Sequence, residues 1–399
     1  MKYVIEIFIM ALFFTNIKSL IRYFKAKRFL MKNKDTKINN TKKEIIHIII
    51  PVYHEVNNIK KSIEYFSKIP ELCKVYYVTT SKEKNIATYN EVERQIEEQQ
   101  AKNIFLDNCP NTEGTMANQL NYIAKKLPET SIIAIYNIDS FPEIKTFQYV
   151  INNLKEKEVY QQVSYFNNEN RGILKSAQNW QNRWSIIYEM GKYLGNKEKS
   201  FVYTIGHGLF LRKSILDKCG YWSEDEINED NEFGYRLLCN NIKIKPIPFM
   251  EQADFANSLS IYVKQQSTWV NGPLYAFSYF KKGNRKDLKS FWLTVLNFKA
   301  YVSWTFFPPV FLTITIASIS LNYIYTALII SLMIIYLSIY NFLTARLLKK
   351  LNYVTNKKLT INIFNDFAFF IVHCFGGIII MGKIIRGKNT KQNKYNTEK

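Results

Sequence analysis

Five short segments of this chain of 399 residues hold side chains whose types and spacing suit chemistry on a phosphorylated ligand. In YNIDS, residues 136–140, Asn137 and Asp139 follow the apolar run IIAI. A carboxylate at the carboxyl end of a strand can ligate Mg2+ or Mn2+ and share it with two phosphates, offsetting the charge that develops on a leaving group. Asp139 is the candidate metal ligand, with Asn137 beside it as a neutral oxygen donor or hydrogen-bond partner. The same Asp is equally suited to cap a helix beginning near Pro142. The acidic run SEDEINEDNEF, residues 223–233, holds Glu229 and Asp230. A carboxylate there can accept the proton of an attacking hydroxyl, and one such base opposite a metal-bound diphosphate gives single displacement with inversion. Glu224, Asp225, Glu226 and Glu232 are read as favouring the positive end of a helix dipole.

In IPVYHE, residues 50–55, Pro51 ends a strand and leaves Tyr53 and Glu55 exposed at the sheet edge, where a merely solvated Glu is the plain alternative. In GHG, Gly206 and its partner glycine let the backbone approach a ligand, and the His207 imidazole can contact a sugar or phosphate. QQSTW offers Gln265 and Gln266 to hydroxyls or phosphate oxygens and the flat face of Trp269 to a sugar ring. That Trp is also suited to anchor an interfacial amphipathic stretch.

These segments need a scaffold that brings them to one edge. Residues 45–248 alternate β-branched or aromatic runs (IIHIII, VYYVTT, SIIAIYNI) with helix-like stretches (NIKKSIEYFSKI, TYNEVERQIEEQQ, GTMANQLNYIAKKL). Such alternation predicts an α/β fold, a mostly parallel sheet with helices on both faces, which binds ligands outside the carboxyl ends of its strands.

The flanks read differently. Residues 3–17 are apolar with a cationic run after them, short for a full span, and fit an oblique anchor, an interfacial helix or a spanning helix extended to Ile21, without a cleavage site. Residues 33–41 read as a linker, and 301–321, 323–345 and 359–382 are long apolar stretches. Pro308 and Pro309 should kink or split the first of these. Asp366 and His373 in the last either line a polar path or lie near head groups or between helices. The expected division is a membrane anchor and basic linker over 1–40, a catalytic domain over 41–270, and an interfacial helix, transmembrane helices and basic tail over 271–399.

A net charge of +21 invites a nucleic-acid reading, but the Lys and Arg residues cluster beside the apolar segments, as the positive-inside rule expects of cytoplasmic loops. No nucleic-acid partner is therefore expected, and the protein is placed in the cell membrane with its catalytic domain in the cytoplasm. With that domain cytoplasmic, two spans return the chain to the cytoplasm and a third would leave the basic tail outside, so the last stretch is re-entrant or the first is miscounted. Five cysteines without a CxxC pair suggest neither a disulfide framework nor structural zinc.

The order IPVYHE, YNIDS, GHG, NED, QQSTW, then apolar spans, resembles membrane-integrated glycosyltransferase family 2, which includes cellulose and hyaluronan synthases. The resemblance covers about residues 45–273. It implies a GT-A fold, a divalent metal (Mn2+ or Mg2+), a nucleotide-sugar donor with UDP as the family default, and a lipid-linked or glycan acceptor. By resemblance Asp139 is the metal-binding Asp of DxD and Asp230, in Glu229-Asp230, the catalytic base. Gln265, Gln266 and Trp269 resemble the QxxxW signature that holds diphosphate and acceptor, and Gly206 and His207 would border the acceptor. Pro51, Tyr53, Glu55, Thr80, Asn137 and Asp139 fall on the donor side. Asn137 replaces the first DxD carboxylate, Thr79, Thr80 and Ser81 stand where an Asp usually follows the second strand, and Thr268 replaces the Arg typical of processive synthases. A catalytically degenerate nucleotide-sugar-binding partner and a transporter are the competing classes.

Overall fold

The computed structural model describes residues 1–35, 44–195, 200–354 and 360–388. Most of the linker expected over 33–41 and the end of the basic tail lie outside the described residues. The chain opens with α1 (Lys2–Asn33), then alternates β1 (Ile46–Pro51), α2 (Val56–Phe66), β2 (Cys73–Thr80), α3 (Ala87–Glu98), β3 (Ile104–Cys109), α4 (Met116–Lys126) and β4 (Ile132–Ile135). There follow β5 (Phe141–Pro142), α5 (Lys145–Asn153), β6 (Glu158–Gln161), β7 (Ser164–Phe166) and α6 (Gly172–Arg183), the last running through a π-helical stretch, Trp184–Met190, into α7 (Gly191–Leu194). Next come β8 (Leu209–Arg212), α8 (Lys213–Cys219), α9 (Glu229–Cys239), β9 (Lys243–Pro246), β10 (Glu251–Ala253), α10 (Leu259–Trp269), α11 (Asn271–Leu274) and α12 (Ala276–Lys282). The apolar end is α13 (Leu288–Ile319), α14 (Tyr323–Ile334), α15 (Tyr340–Lys350), α16 (Ile363–His373) and α17 (Phe375–Ile385).

The main sheet has seven strands in the order β3-β2-β1-β4-β8-β6-β9. The β3, β2, β1 and β4 strands run parallel, β8 is antiparallel to β4 and β6, and β6 is parallel to β9. A second sheet, β5-β10-β7, stands beside it. Burial on both faces explains the uninterrupted IIHIII run: Ile46, Ile48 and Ile50 enter one core with Val75, Tyr77 and Phe147, while Ile49 enters the other with Val78, Leu120 and Ile135. This is the α/β architecture the alternation predicts.

The β4 strand ends at Ile135, as the IIAI run predicts, and beyond it Ser140 N donates to Asn137 O (3.1 Å) as the chain turns. Two sequence expectations change. The next helix starts at Lys145 with Ile144 at its cap position, so Asp139 has no capping duty there. The Pro308-Pro309 pair neither splits nor ends its segment: α13 is one helix of 32 residues, about 48 Å at 1.5 Å per residue. Prolines are tolerated where neighbouring helices support the freed backbone groups.

Among the described residues, four helices are long and apolar enough to cross a membrane: Lys2–Asn33, Leu288–Ile319, Tyr323–Lys350 and Ile363–Ile385. The first corrects the short segment read from 3–17, since the cationic half continues the same helix. In α16 Asp366 accepts a hydrogen bond from Asn341 (3.1 Å), and His373 packs between Trp180 and Trp304 (ring centres 5.0 and 5.1 Å). Both side chains are buried between helices.

A candidate active site at the carboxyl edge of the sheet

Parallel strands deliver their loops to one edge, and an antiparallel neighbour enters from that same edge. Pro51 ends β1, with Tyr53 and Glu55 in the loop beyond, and Thr80 ends β2. Asn137 and Asp139 follow β4. The β8 strand pairs antiparallel with β4, Leu209 opposite Ile135, so Gly206, His207 and Gly208 precede it at that edge; Gly208 N donates to Ile135 O (2.7 Å).

Asp230 arrives from α9. Gly234 in that helix makes the approach feasible, since a Cβ there would stand 2.6 Å from Thr204 N. Thr204 Oγ1 donates to Asp230 O (2.6 Å), and a Cβ on Gly206 would be 3.4 Å from Asp230 Oδ2. Asp230 Oδ1 accepts the Asn231 backbone N–H (2.7 Å) at the positive end of the helix. Asp230 is half-buried, whereas Glu229 is 2% exposed, so of the two Asp230 can meet a ligand.

The four other acids of that run do less than one common job. Glu224 accepts from Asn118 (2.6 Å) and Asn121 (2.8 Å) of α4, and Glu226 pairs with Lys282 (2.6 Å). Glu232 holds Arg236 through two bonds (2.7 and 2.8 Å), and Asp225 is exposed. Only Glu229, Asp230 and Glu232 lie in the first turn of α9, so the dipole reading fails for residues 224–226.

Sequence reading missed the groups that support the edge. Gln161 Nε2 donates to His207 O (2.8 Å) and its Oε1 accepts from Ile205 N (2.8 Å), which pins the GHG loop. Gln162 receives the Tyr136 hydroxyl (2.5 Å) and donates to Thr146 (2.9 Å), tying the loop after β4 to α5. Burial, then Glu251, pushes the Tyr136 phenol far up, so it stays a neutral donor. Glu251, wholly buried, meets His207 Nδ1 and accepts from Ser164 Oγ (2.9 Å), which turns Nε2 of His207 away from it. Glu83, 4% exposed, accepts from Thr88 N (3.1 Å), Thr88 Oγ1 (2.6 Å) and His54 N (3.2 Å), fixing the IPVYHE loop against α3. The QQ repeat of residues 161–162 was the one sequence signal available; the two glutamates had none.

Two regions flank the edge. A cavity of about 330 Å³ opens beyond β2 and β3, lined by Thr79, Thr80, Ser81, Lys84, Tyr89 and Asn108 among others. On the opposite side α10 carries Gln265, half-buried, Gln266, 1% exposed, and Trp269, 41% exposed. Its continuation α11 packs on the start of α9, where a Cβ on Gly272 would lie 3.0 Å from Asn231 Cβ. Gln266 is covered by α17, which approaches so closely at Gly376 that a Cβ would meet Gln266 C at 2.9 Å.

Residues 134–344 match the family model described as glycosyl transferase family group 2, more than half of the chain. The chain belongs to that family. As a glycosyltransferase it has a GT-A fold, and its overall course is similar to a mannosyltransferase from Pyrobaculum calidifontis solved with GDP-Man and Mn2+. That similarity has a TM-score of 0.50 at 16% identity and covers 86% of this glycosyltransferase and 98% of the other chain. No curated protein matches.

The resemblance implies a divalent cation, and the donor set fits one shared with substrate. Among the described residues no three of His, Cys, Asp and Glu form a metal cage. Mg2+-type ions are commonly held by one or two carboxylates plus substrate phosphates and waters; Asn137 is half-buried, and Asp139, relieved of capping but 3% exposed, could complement them once its carboxylate turns out toward the edge.

Proposed function

We propose that this glycosyltransferase moves a sugar from a nucleotide diphosphate to a hydroxyl of a lipid-linked or glycan acceptor, with inversion, at the cytoplasmic face of the cell membrane. The observation that carries the reading is the position of Asp230: half-buried, beside Gly206, at the sheet edge that also holds Asp139. Asp139 and Asn137 would hold a divalent cation that neutralises charge on the departing diphosphate. Asp230 Oδ2 takes the acceptor's proton as that oxygen attacks the anomeric carbon from the side opposite the diphosphate. His207 Nε2, Gln265 and Trp269 orient acceptor and diphosphate, and Gln266, buried under α17, holds their helix in place.

The cavity beyond β2 suits the nucleoside: hydroxyl and amide groups from Thr79, Thr80, Ser81 and Asn108 offer hydrogen bonds, and Tyr89 an apolar face. Tyr53 and Glu55 stand in the loop after β1, which Glu83 of the cavity wall holds through His54 N. The resemblance implies a UDP-sugar, and the similar mannosyltransferase was solved with GDP-Man, so both belong in a donor panel. Lys and Arg flanking the apolar helices support a cytoplasmic catalytic part spanning 41–270. The α16 helix packs on α6, and α17 on α10 and α13, which supports a re-entrant last segment and a basic tail on the same side.

The test is nucleotide release by purified, full-length protein from a panel of UDP- and GDP-sugars, with and without Mn2+. Metal-dependent release supports the proposal. Donor binding that ignores metal, without release, identifies a binding homologue instead. Asp139→Ala should weaken Mn2+-dependent donor binding at least tenfold; unchanged Mn2+ dependence excludes Asp139 as a ligand.

A further inference from the structure

Beyond Asp230, toward the apolar helices, charges of one sign gather. Lys192 of α7 sits among Trp184, Tyr188, Tyr193 and Tyr203, and burial, then the like charge of Arg22, brings its ammonium down to about 8. Arg22 reaches it from α1: the Arg22 Cβ lies 2.8 Å from where a Cβ on Gly191 would stand, and the guanidinium is 5.9 Å from the Tyr188 ring centre. Lys18, one turn earlier on the same face of α1, has Arg22, Lys192 and Lys299 of α13 as electrostatic neighbours. Phe8 of α1 meets Phe307 of α13 (ring centres 6.3 Å).

No ion pair engages any of these four cations among the described residues. The acid facing Lys192 is Glu189, whose carboxylate accepts the Tyr203 hydroxyl (2.8 Å) and whose pKa burial raises; it is one carboxylate beside four cations. Positive residues at a membrane edge are ordinary, but Lys192 stands on a helix of the catalytic part and shares their field. Cations crowded without a partner repel, and a bound phosphate relieves that cost.

Depth and direction define the ligand. Residues 3–17 are apolar up to Lys18, and the apolar run 301–321 begins just after Lys299, so both lysines mark the head-group level. From there the path to the base is short: Tyr203 bonds Glu189, and the next residue, Thr204, bonds the backbone of Asp230. We infer that Lys18, Arg22, Lys192 and Lys299 bind the phosphate of a lipid that carries the acceptor sugar, leaving the sugar hydroxyl at Asp230. The inference rests on Asp230 being the acceptor's base.

The experiment uses full-length protein in phosphatidylcholine nanodiscs and measures binding of dodecyl phosphate, dodecanol and inorganic phosphate, with nucleotide-sugar binding measured alongside. Dodecyl phosphate should bind at least tenfold tighter than either control. Arg22→Gln and Lys192→Gln should each weaken it tenfold or more, Arg22→Lys and Lys192→Arg should stay within threefold, and donor affinity should hold within twofold in all four. Inorganic phosphate binding as tightly overturns the lipid assignment, and Gln variants that bind dodecyl phosphate like the parent overturn the site. If donor turnover is absent while the Gln variants still lose dodecyl phosphate, the transferase reading falls and the phosphate site stands.

Discussion

The imidazole of His207 is held through Nδ1 by the carboxylate of Glu251, a side chain with no exposure to solvent, on a strand of the smaller sheet. One interaction therefore ties the loop before β8 to the second sheet and fixes which ring nitrogen faces the cleft. Glu251→Ala leaves His207 and Ser164 without their buried partner and should cost about 3 kcal/mol of stability. Glu251→Gln keeps hydrogen bonds to both and should cost under about 1 kcal/mol, yet slow transfer roughly tenfold as the imidazole loses its charged support. Thermal unfolding and initial rates of the two variants check this; equal rates for parent and Gln variant would remove His207 orientation from the account.

Gly376 lets α17 lie on α10. A Cβ there meets the Gln266 backbone, which has little room to move, while a Cβ on Gly382 in the same helix has nothing within 4 Å. Gly376→Ala should lose about 1–3 kcal/mol through overpacking and disturb the helix that carries Gln265 and Trp269. Gly382→Ala should be neutral or slightly stabilising, as Ala is the better helix former. Melting temperatures of the pair, with donor affinity, separate a packing requirement at Gly376 from a general intolerance of α17.

His47 on β1 is buried, and that burial, then Lys74, holds its pKa at about 4 against 6.5 for the free side chain. The folded chain thus binds fewer protons than the unfolded chain between those values. The contribution of His47 is complete above pH 6.5 and falls away as pH drops toward 4, by at most about 3 kcal/mol. Urea unfolding of the parent and His47→Gln across pH 4–7 should show a shallower acid loss for the variant; parallel curves would count against a buried neutral imidazole.

The sheet and its site edge were legible because strand ends coincide with marked residues: Pro51 closes β1 and Asp139 lies just past β4. The position of Asp230 at the start of a helix was legible because an acidic pair precedes apolar residues at helical spacing. Glu83, Glu251 and Gln161 were not, since each acts on a distant or irregular segment and no local pattern marks a buried carboxylate as partnered. Gly376 and Gly377 were visible as a pair, but their reason is contact with Gln266 and Thr305, far away in sequence. Of the kink or split expected at Pro308 and Pro309, the split does not occur, because helix packing in an apolar setting sustains α13. The cationic half of α1 misled similarly, as charge marked the end of an apolar run and not the end of a helix.

Asp230→Asn changes one atom of the group beside Gly206 and removes its capacity to take a proton. Transfer to acceptor should fall by roughly 100- to 10,000-fold, the range lost with a general base, while the donor dissociation constant stays within about twofold of the parent. Parallel measurement of transfer rate and donor affinity in this variant is the most direct test of the account. Retained transfer, or donor binding lost in step with it, contradicts Asp230 as the base.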